Sequence, residues 1–387
     1  MKLRTLKDIK SVRGQRVLIR LDLNAPVIGG HLESSDLWKL RASIHTVEHL
    51  AEHGAKVIIV SHFGRPDGKK VIATSLRPII RKFSQMVGRP IALWSDHPSK
   101  LEARSKKLEE GQIVALENIR WYPGEEKNDP AFAKTLAALA DIYVNDAFGV
   151  IQRSHASIVG VAKLVPSYAG FLLEYEVKAL YNVVSRSKRP IVVVLGGSKI
   201  STKLGLLKVL LTKADFILLG GALANNVLQA RDVEVGKSMI DKDAKLLRQY
   251  IYSNKLKVPI DVRVATSLTA KSRLTAVSQV RSNEIIYDIG PDTIEWYAKV
   301  LRHAKTVIWN GPLGLFEDPR YGASTRELIK ILALSQAKAY VGGGETVKAV
   351  LQSRLEDSLH FVSTGGGAML ALLEKNDWPA LKVLKKG

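Results

Sequence analysis

The chain has 387 residues and no cysteine, which excludes disulfides, thiolate catalysis and Cys-ligated zinc or iron–sulfur centres. Hydrophobic residues make up 46% and charged residues 25%, an ordinary globular balance that excludes wholesale disorder and fibrous repeats. Lys plus Arg number 58 against 37 Asp plus Glu, a net charge of +21, which invites anionic partners.

At roughly 100–200 residues per domain the length suggests two or three domains. The stretch from Met1 to Lys10 is basic and lacks a long apolar core, so it does not read as a signal peptide. No apolar run approaches the ~18–20 residues of a membrane span, and the expectation is a soluble cytoplasmic protein. Short β-branched runs then recur: Val17–Arg20, Lys56–Ser61, Ile113–Leu116, Ile142–Asn145, Ile191–Leu195, Phe216–Leu219, Thr306–Trp309, Ala339–Val341 and His360–Ser363. Amphipathic stretches such as Leu40–His53, Asp129–Ala140 and Ser324–Ala333 separate them. Strands alternating with helical patterns read as βαβ units, and there are too many for one comfortable sheet. The expected fold is α/β, with two doubly wound parallel-sheet domains joined by a hinge helix. The first domain is expected over residues 1–165 and the second over 191–370. The connection, 166–190, carries Pro166, a helical pattern from Phe171 to Val184 and Pro190; a tail, 371–387, follows the second domain.

Ligands of open α/β sheets bind beyond the carboxyl ends of the strands. In the first half those ends carry Asp22 and Asn24, His62 and Arg65, Arg120, and Asn145 to Gly149 with Arg153 and His155 beyond. Guanidinium forks there suit a small anion bearing phosphate and carboxylate. The second half offers glycine instead: Gly196-Gly197, Gly220-Gly221, Gly311 to Gly314, Gly342-Gly343-Gly344 and Gly365-Gly366-Gly367. Glycine lets backbone N–H groups at a helix start approach a phosphate, so this half reads as a nucleotide site. No G-x-G-x-x-G is present, and Gly236-Lys237-Ser238 lacks the P-loop's first glycine, Arg231 standing there. No zinc-type histidine spacing and no basic stripe interleaved with aromatics stands out, so specific nucleic-acid binding is not expected; salt-dependent association would be its signature. Two anion pockets suggest phosphoryl transfer across a cleft, and an already ionised carboxylate acceptor would need no general base.

Eight ordered motifs carry a resemblance to the phosphoglycerate kinase family over essentially the full length. They are Val17-Leu-Ile-Arg-Leu-Asp-Leu-Asn-Ala-Pro26, Ser61-His-Phe-Gly-Arg-Pro-Asp-Gly68, Glu117-Asn-Ile-Arg-Trp-Tyr-Pro-Gly-Glu125, Tyr143-Val-Asn-Asp-Ala-Phe-Gly149, Gly170-Phe-Leu-Leu-Glu174, Val194-Leu-Gly-Gly-Ser-Lys199, Ile308-Trp-Asn-Gly-Pro-Leu-Gly-Leu-Phe-Glu317 and Ser363-Thr-Gly-Gly-Gly-Ala368. The resemblance implies reversible transfer between ATP and the carboxylate of 3-phosphoglycerate, giving ADP and 1,3-bisphosphoglycerate with Mg²⁺, by a monomer whose hinge closes. It implies that Asp22, Asn24, Lys39, His62, Arg65, Arg120 and Arg153 bind the acid on the first domain. Gly197, Lys199, Lys203, Asn310, Glu317, Gly343, Gly344, Glu345 and Thr346 would bind nucleotide on the second, with Glu345 toward the metal. Lys199, Lys39, Arg65, Gly366 and Gly367 would act on the transferring phosphoryl group, and the tail would return to the first domain. Four positions depart from the family pattern: Lys39 stands for a catalytic arginine, with Arg41 as the other candidate for that role. Thr202 and Glu345 each replace an aspartate, and Gln152 replaces a histidine. These departures leave open a relative that binds the ligands and turns them over poorly.

Overall fold

The computed structural model describes residues 2–28, 31–32, 36–197, 204–241, 248–375 and 378–386. Seventeen strands are described: β1 Arg16–Arg20, β2 Val27–Ile28, β3 His31–Leu32, β4 Lys56–Val60, β5 Ile91–Trp94, β6 Ile113–Leu116, β7 Ile142–Asn145, β8 Ser167–Ala169, β9 Ile191–Leu195, β10 Phe216–Leu219, β11 Leu256–Lys257, β12 Asp261–Ala265, β13 Arg273–Ala276, β14 Ile285–Ile289, β15 Thr306–Asn310, β16 Lys338–Gly342 and β17 Phe361–Val362. The first sheet runs β5-β6-β4-β1-β7-β8 and the second β11-β10-β9-β15-β16-β17. Every pairing in both is parallel.

The strands are continuous apolar runs because both faces of each sheet are covered. In β1, Val17 and Ile19 face one core, with Val57, Ile59 and helix residues Leu40, Val47 and Leu50. Leu18 faces the other, with Ile58, Leu136 and Tyr143. The period of two puts neighbouring side chains on opposite faces. Each sheet also has a switch point, where the chain leaves one side of a strand and later returns on the other. It lies between β1 and β7 in the first sheet and between β9 and β15 in the second.

The chain divides into two compact units, one running to Tyr181 and resuming at Lys375, the other spanning Asn182–Glu374. Helix Phe171–Arg186 therefore contributes residues to both. The stretch after Lys375 joins the first unit by a bridge between Leu3 and Lys385 and a 2.8 Å bond from Arg4 N–H to Leu384 O.

Two domain boundaries need correction. Residues 166–190 are not all connection, since Ser167–Ala169 pairs with β7 as the sixth strand of the first sheet. The boundary at 370 falls inside helix Gly366–Glu374, whose Ala368, Met369, Leu372 and Leu373 are buried, so that helix stays with the second unit. The second unit also carries an antiparallel sheet, β13-β12-β14, with a register shift at Arg263/Val264. Asp261 and Arg263 interrupt β12, Asp288 interrupts β14 and β13 is largely uncovered, so the continuous apolar run of a buried parallel strand is missing.

Candidate functional site

In the first unit the site grows from the ends of β1, β4 and β6. Asp22 and Asn24 follow β1 at the switch point, where a Cβ on Gly149 would stand 2.1 Å from Asp22 Oδ2. Asn24 Oδ1 accepts the Gly64 N–H at 3.0 Å, and Arg120 Nη1 donates to the Gly64 carbonyl at 2.8 Å. One residue, Gly64 at φ +63°, thus binds the β1 and β6 loops to the β4 loop. Arg120 Nε also lies 3.1 Å from Glu126 Oε1, a contact outside hydrogen-bond alignment. Asn118, fully buried, holds Phe63 through both main-chain groups, accepting from its N–H at 3.2 Å and donating to its carbonyl at 2.6 Å. Glu117 braces the loop before helix Arg77–Val87 by accepting from Ser75 Oγ at 2.6 Å and Leu76 N–H at 3.2 Å.

His62 is 3% exposed. Burial holds its pKa well below the ordinary histidine value, and the charges of Arg20, Arg120, His155 and Lys39 depress it further. The same field places Lys39, at the start of helix Leu37–Glu52, within electrostatic reach of the cluster. Arg153 is exposed and its charge acts on Arg120. Arg65 is exposed one residue beyond Gly64. The first unit therefore brings His62, Arg120, Lys39, Arg153 and Arg20 into one positive field, with Asp22 and Asn24 at its edge.

Sequence reasoning did not assign three side chains of this network. Arg20 is 1% exposed, and Glu125 and Ser157 are 0% and 1% exposed. A signal was present: a charged residue ending an apolar strand is expensive to bury unless it is bonded.

In the second unit the glycines converge. Gly196 N–H donates to Asn310 O at 3.0 Å, Gly197 N–H to Pro312 O at 3.0 Å, and Gly221 N–H to Leu313 O at 2.8 Å. The approach at the β9–β15 switch point is so close that a Cβ on Gly196 would sit 1.9 Å from Pro312 O. Helices Gly344–Ser353 and Gly366–Glu374 begin side by side, with a Cβ position on Gly366 only 2.2 Å from Gly343 N. A Cβ on Gly344 or Gly367 would meet nothing within 4 Å among the described residues beyond its own helix and chain neighbours, and both glycines are exposed. Asn310 is 5% exposed, and its Nδ2, 2.9 Å from the Cβ position of Gly343, has no hydrogen-bond partner among the described residues. A buried donor beside the start of helix Gly344–Ser353 can receive an anion. Thr346 is fully buried and its hydroxyl accepts the Gly311 N–H at 2.8 Å, so it also braces the loop.

Glu317 is exposed and lines a concavity of 560 Å³ with Leu268, Leu315, Asp318, Pro319 and Arg320. Lys199, Thr202 and Lys203 lie outside the described residues. Among the described residues no group of three or more His, Asp or Glu side chains could hold a metal ion. Glu345, in the first turn of its helix and exposed, is a single hard oxygen donor. That donor set fits Mg²⁺, which binds through one or two carboxylates plus substrate phosphates. Among the described residues no helix is long and apolar enough to cross a membrane.

Two parallel α/β units, each carrying groups suited to anions at its switch point, fit a phosphoryl-transfer class of protein. The family model for phosphoglycerate kinase matches residues 6–376. The phosphoglycerate kinase of Desulforudis audaxviator is 41% identical over 390 residues, covering 99% of both chains. That of Borreliella burgdorferi strain ZS7 is 39% identical over 394 residues, covering 100% of both. Among solved structures, phosphoglycerate kinase from Coxiella burnetii superposes with a TM-score of 0.86 at 37% identity, covering 99% of both chains. The Pyrococcus horikoshii OT3 enzyme also gives 0.86, at 28% identity over 99% of this chain and 98% of that one. The chain belongs to the phosphoglycerate kinase family.

Proposed function

We propose that this chain catalyses the reaction its family is named for, reversible phosphoryl transfer between ATP and the carboxylate of 3-phosphoglycerate. What supports the reading is the pairing of two unlike anion sites: imidazole and guanidinium groups beyond β1, β4 and β6, and backbone N–H groups with the Asn310 amide beyond β15 and β16. In the forward step a carboxylate oxygen bonds to the γ-phosphorus as the bond to the β,γ-bridging oxygen breaks, and ADP departs with that electron pair. The acid is ionised at neutral pH, so no side chain must remove a proton. Asp22, Asn24, His62, Arg65, Arg120 and Arg153 bind and orient the acid, and the role of stabilising charge on the transferring group falls to Lys39 and Lys199. Gly197, Lys203, Glu317, Asn310, Thr346 and the helix starts at Gly343–Gly344 and Gly366–Gly367 receive the nucleotide. Mg²⁺ beside Glu345 would neutralise phosphate charge. Hinge motion about helix Phe171–Arg186 belongs to the same proposal, as do a monomeric state and a cytoplasmic setting. A coupled assay of ADP formation should require both ATP and 3-phosphoglycerate; ADP formed without the acid, or none at all, overturns the reading.

A further inference from the structure

Arg20 ends β1 inside the first unit, and among the described residues no carboxylate lies within ion-pair distance of its guanidinium. Its charge is answered at one remove. Arg20 Nε–H donates to Ser157 Oγ at 2.9 Å. The Ser157 hydroxyl donates in turn to Glu125 Oε1 at 2.6 Å, and the Ser157 backbone N–H to Glu125 Oε2 at 2.9 Å. The other Arg20 donors reach the Leu21 carbonyl and His62 Nδ1, the latter at 3.1 Å. Every donor and acceptor in this relay has one possible direction. Arginine has no acceptor and does not lose its proton, so His62 Nδ1 must offer its lone pair. A neutral imidazole with a bare Nδ1 carries its proton on Nε2.

We infer that Glu125, Ser157 and Arg20 are positioning residues that hold His62 as a neutral Nε2–H donor toward the bound phosphoglycerate anion. The inference rests on the reading of His62 as a ligand of the acid and adds what fixes its tautomer. The groups facing His62 agree: Arg20, Arg120, His155 and Lys39 all oppose a second proton on the ring. Asp22 Oδ1, 4.0 Å from Nδ1, is too distant to hold a proton there. His62 then binds the anion by a hydrogen bond and takes up no proton as it does so.

The test uses the whole enzyme labelled with ¹⁵N-histidine. Long-range ¹H–¹⁵N spectra of the wild type should show His62 protonated at Nε2, with shifts constant from about pH 5.5 to 8. Ser157→Ala cuts the relay at its centre. Its His62 should titrate or mix tautomers, with KM for the acid raised about tenfold, KM for ATP unchanged and kcat within about twofold. Ser157→Thr, which keeps the hydroxyl, should restore the wild-type spectrum. A wild-type His62 protonated at Nδ1, or titrating near the ordinary histidine value, overturns the inference even if Ser157→Ala fails to fold. So does a folded Ser157→Ala enzyme with the wild-type spectrum and KM. Wild-type enzyme that does not bind 3-phosphoglycerate defeats the functional reading instead, while its spectrum still decides the relay.

Discussion

At the scale of single residues, Lys39 is the departure with the clearest chemical consequence. Its charge reaches His62, so it stands near the groups proposed to bind the acid. Lysine offers a point charge where a guanidinium would offer a planar fork. Lys39→Arg should therefore raise kcat, by about ten- to a hundredfold if one further charge-assisted hydrogen bond of roughly 1.5–3 kcal/mol forms. Measuring wild type, Lys39→Arg and Lys39→Ala together decides it; an unimpaired Lys39→Ala transfers the role to Arg41. Gln152, the replacement for the family's histidine, leaves its Oε1 buried without a partner among the described residues, and nothing in the structure explains the exchange. Gly149 makes a second prediction. A Cβ there would meet Asp22 Oδ2 at 2.1 Å, and the flexible carboxylate rather than the backbone would yield. Gly149→Ala should weaken 3-phosphoglycerate binding and leave ATP binding alone; calorimetry with each ligand shows whether Asp22 contributes.

At the scale of elements, the glycine floor of the second unit depends on two helix starts packed backbone to backbone. Gly366 permits this, since its Cβ position lies 2.2 Å from Gly343 N and 2.3 Å from Gly343 Cα. No rotamer relieves a clash with backbone, so Gly366→Ala must push the helices apart. The cost should be about 1–3 kcal/mol, as for other overpacked sites. Urea unfolding should show it, together with weaker ATP binding. Gly367→Ala, where no described residue beyond its own helix and chain neighbours lies within 4 Å, should leave the unfolding free energy within about 0.5 kcal/mol of wild type. Equal effects of the two substitutions would contradict the close helix packing.

At the scale of the whole molecule, each unit buries one aspartate that resists ionisation. Burial pushes Asp146 in the first unit and Asp288 in the second up to about 6 from an ordinary 3.8. Asp146 accepts the Leu173 N–H at 2.9 Å, and Asp288 the Ile289 N–H at 2.9 Å. The bonds do not offset desolvation, which is the largest influence on each. A folded pKa above the unfolded one means stability fully present below pH 3.8 and lost as pH rises through 6. Each ionisation should cost its unit up to about 3 kcal/mol by pH 8, at 1.36 kcal/mol per pKa unit. Asp146→Asn, which keeps a carbonyl acceptor, should flatten that loss for the first unit alone; an unchanged slope in urea titrations at pH 4, 6 and 8 would remove Asp146 from the account.

The sequence by itself determined the two parallel sheets, because strands covered on both faces must be apolar throughout and such runs stand out. Ile113–Leu116, Ile142–Asn145, Ile191–Leu195 and Phe216–Leu219 form strands over the same residues that the pattern marks. It also determined the family, since His62, Arg120, Asn310 and Gly366 stand in ordered motifs at strand ends, where ligands of such sheets bind. Only the tertiary structure decided the rest. In the β12–β14 sheet polar residues such as Asp261, Arg263 and Asp288 interrupt the strands, so the continuous apolar signal fades. That Thr346 braces Gly311 depends on loops 35 positions apart in sequence meeting within hydrogen-bond distance. The Arg20–Ser157–Glu125 relay is the clearest case: Arg20 and Ser157 bond across 137 positions of chain, Ser157 and Glu125 across 32. No local pattern encodes such pairing, because a buried charge is tolerated only once the fold has brought its partners to it.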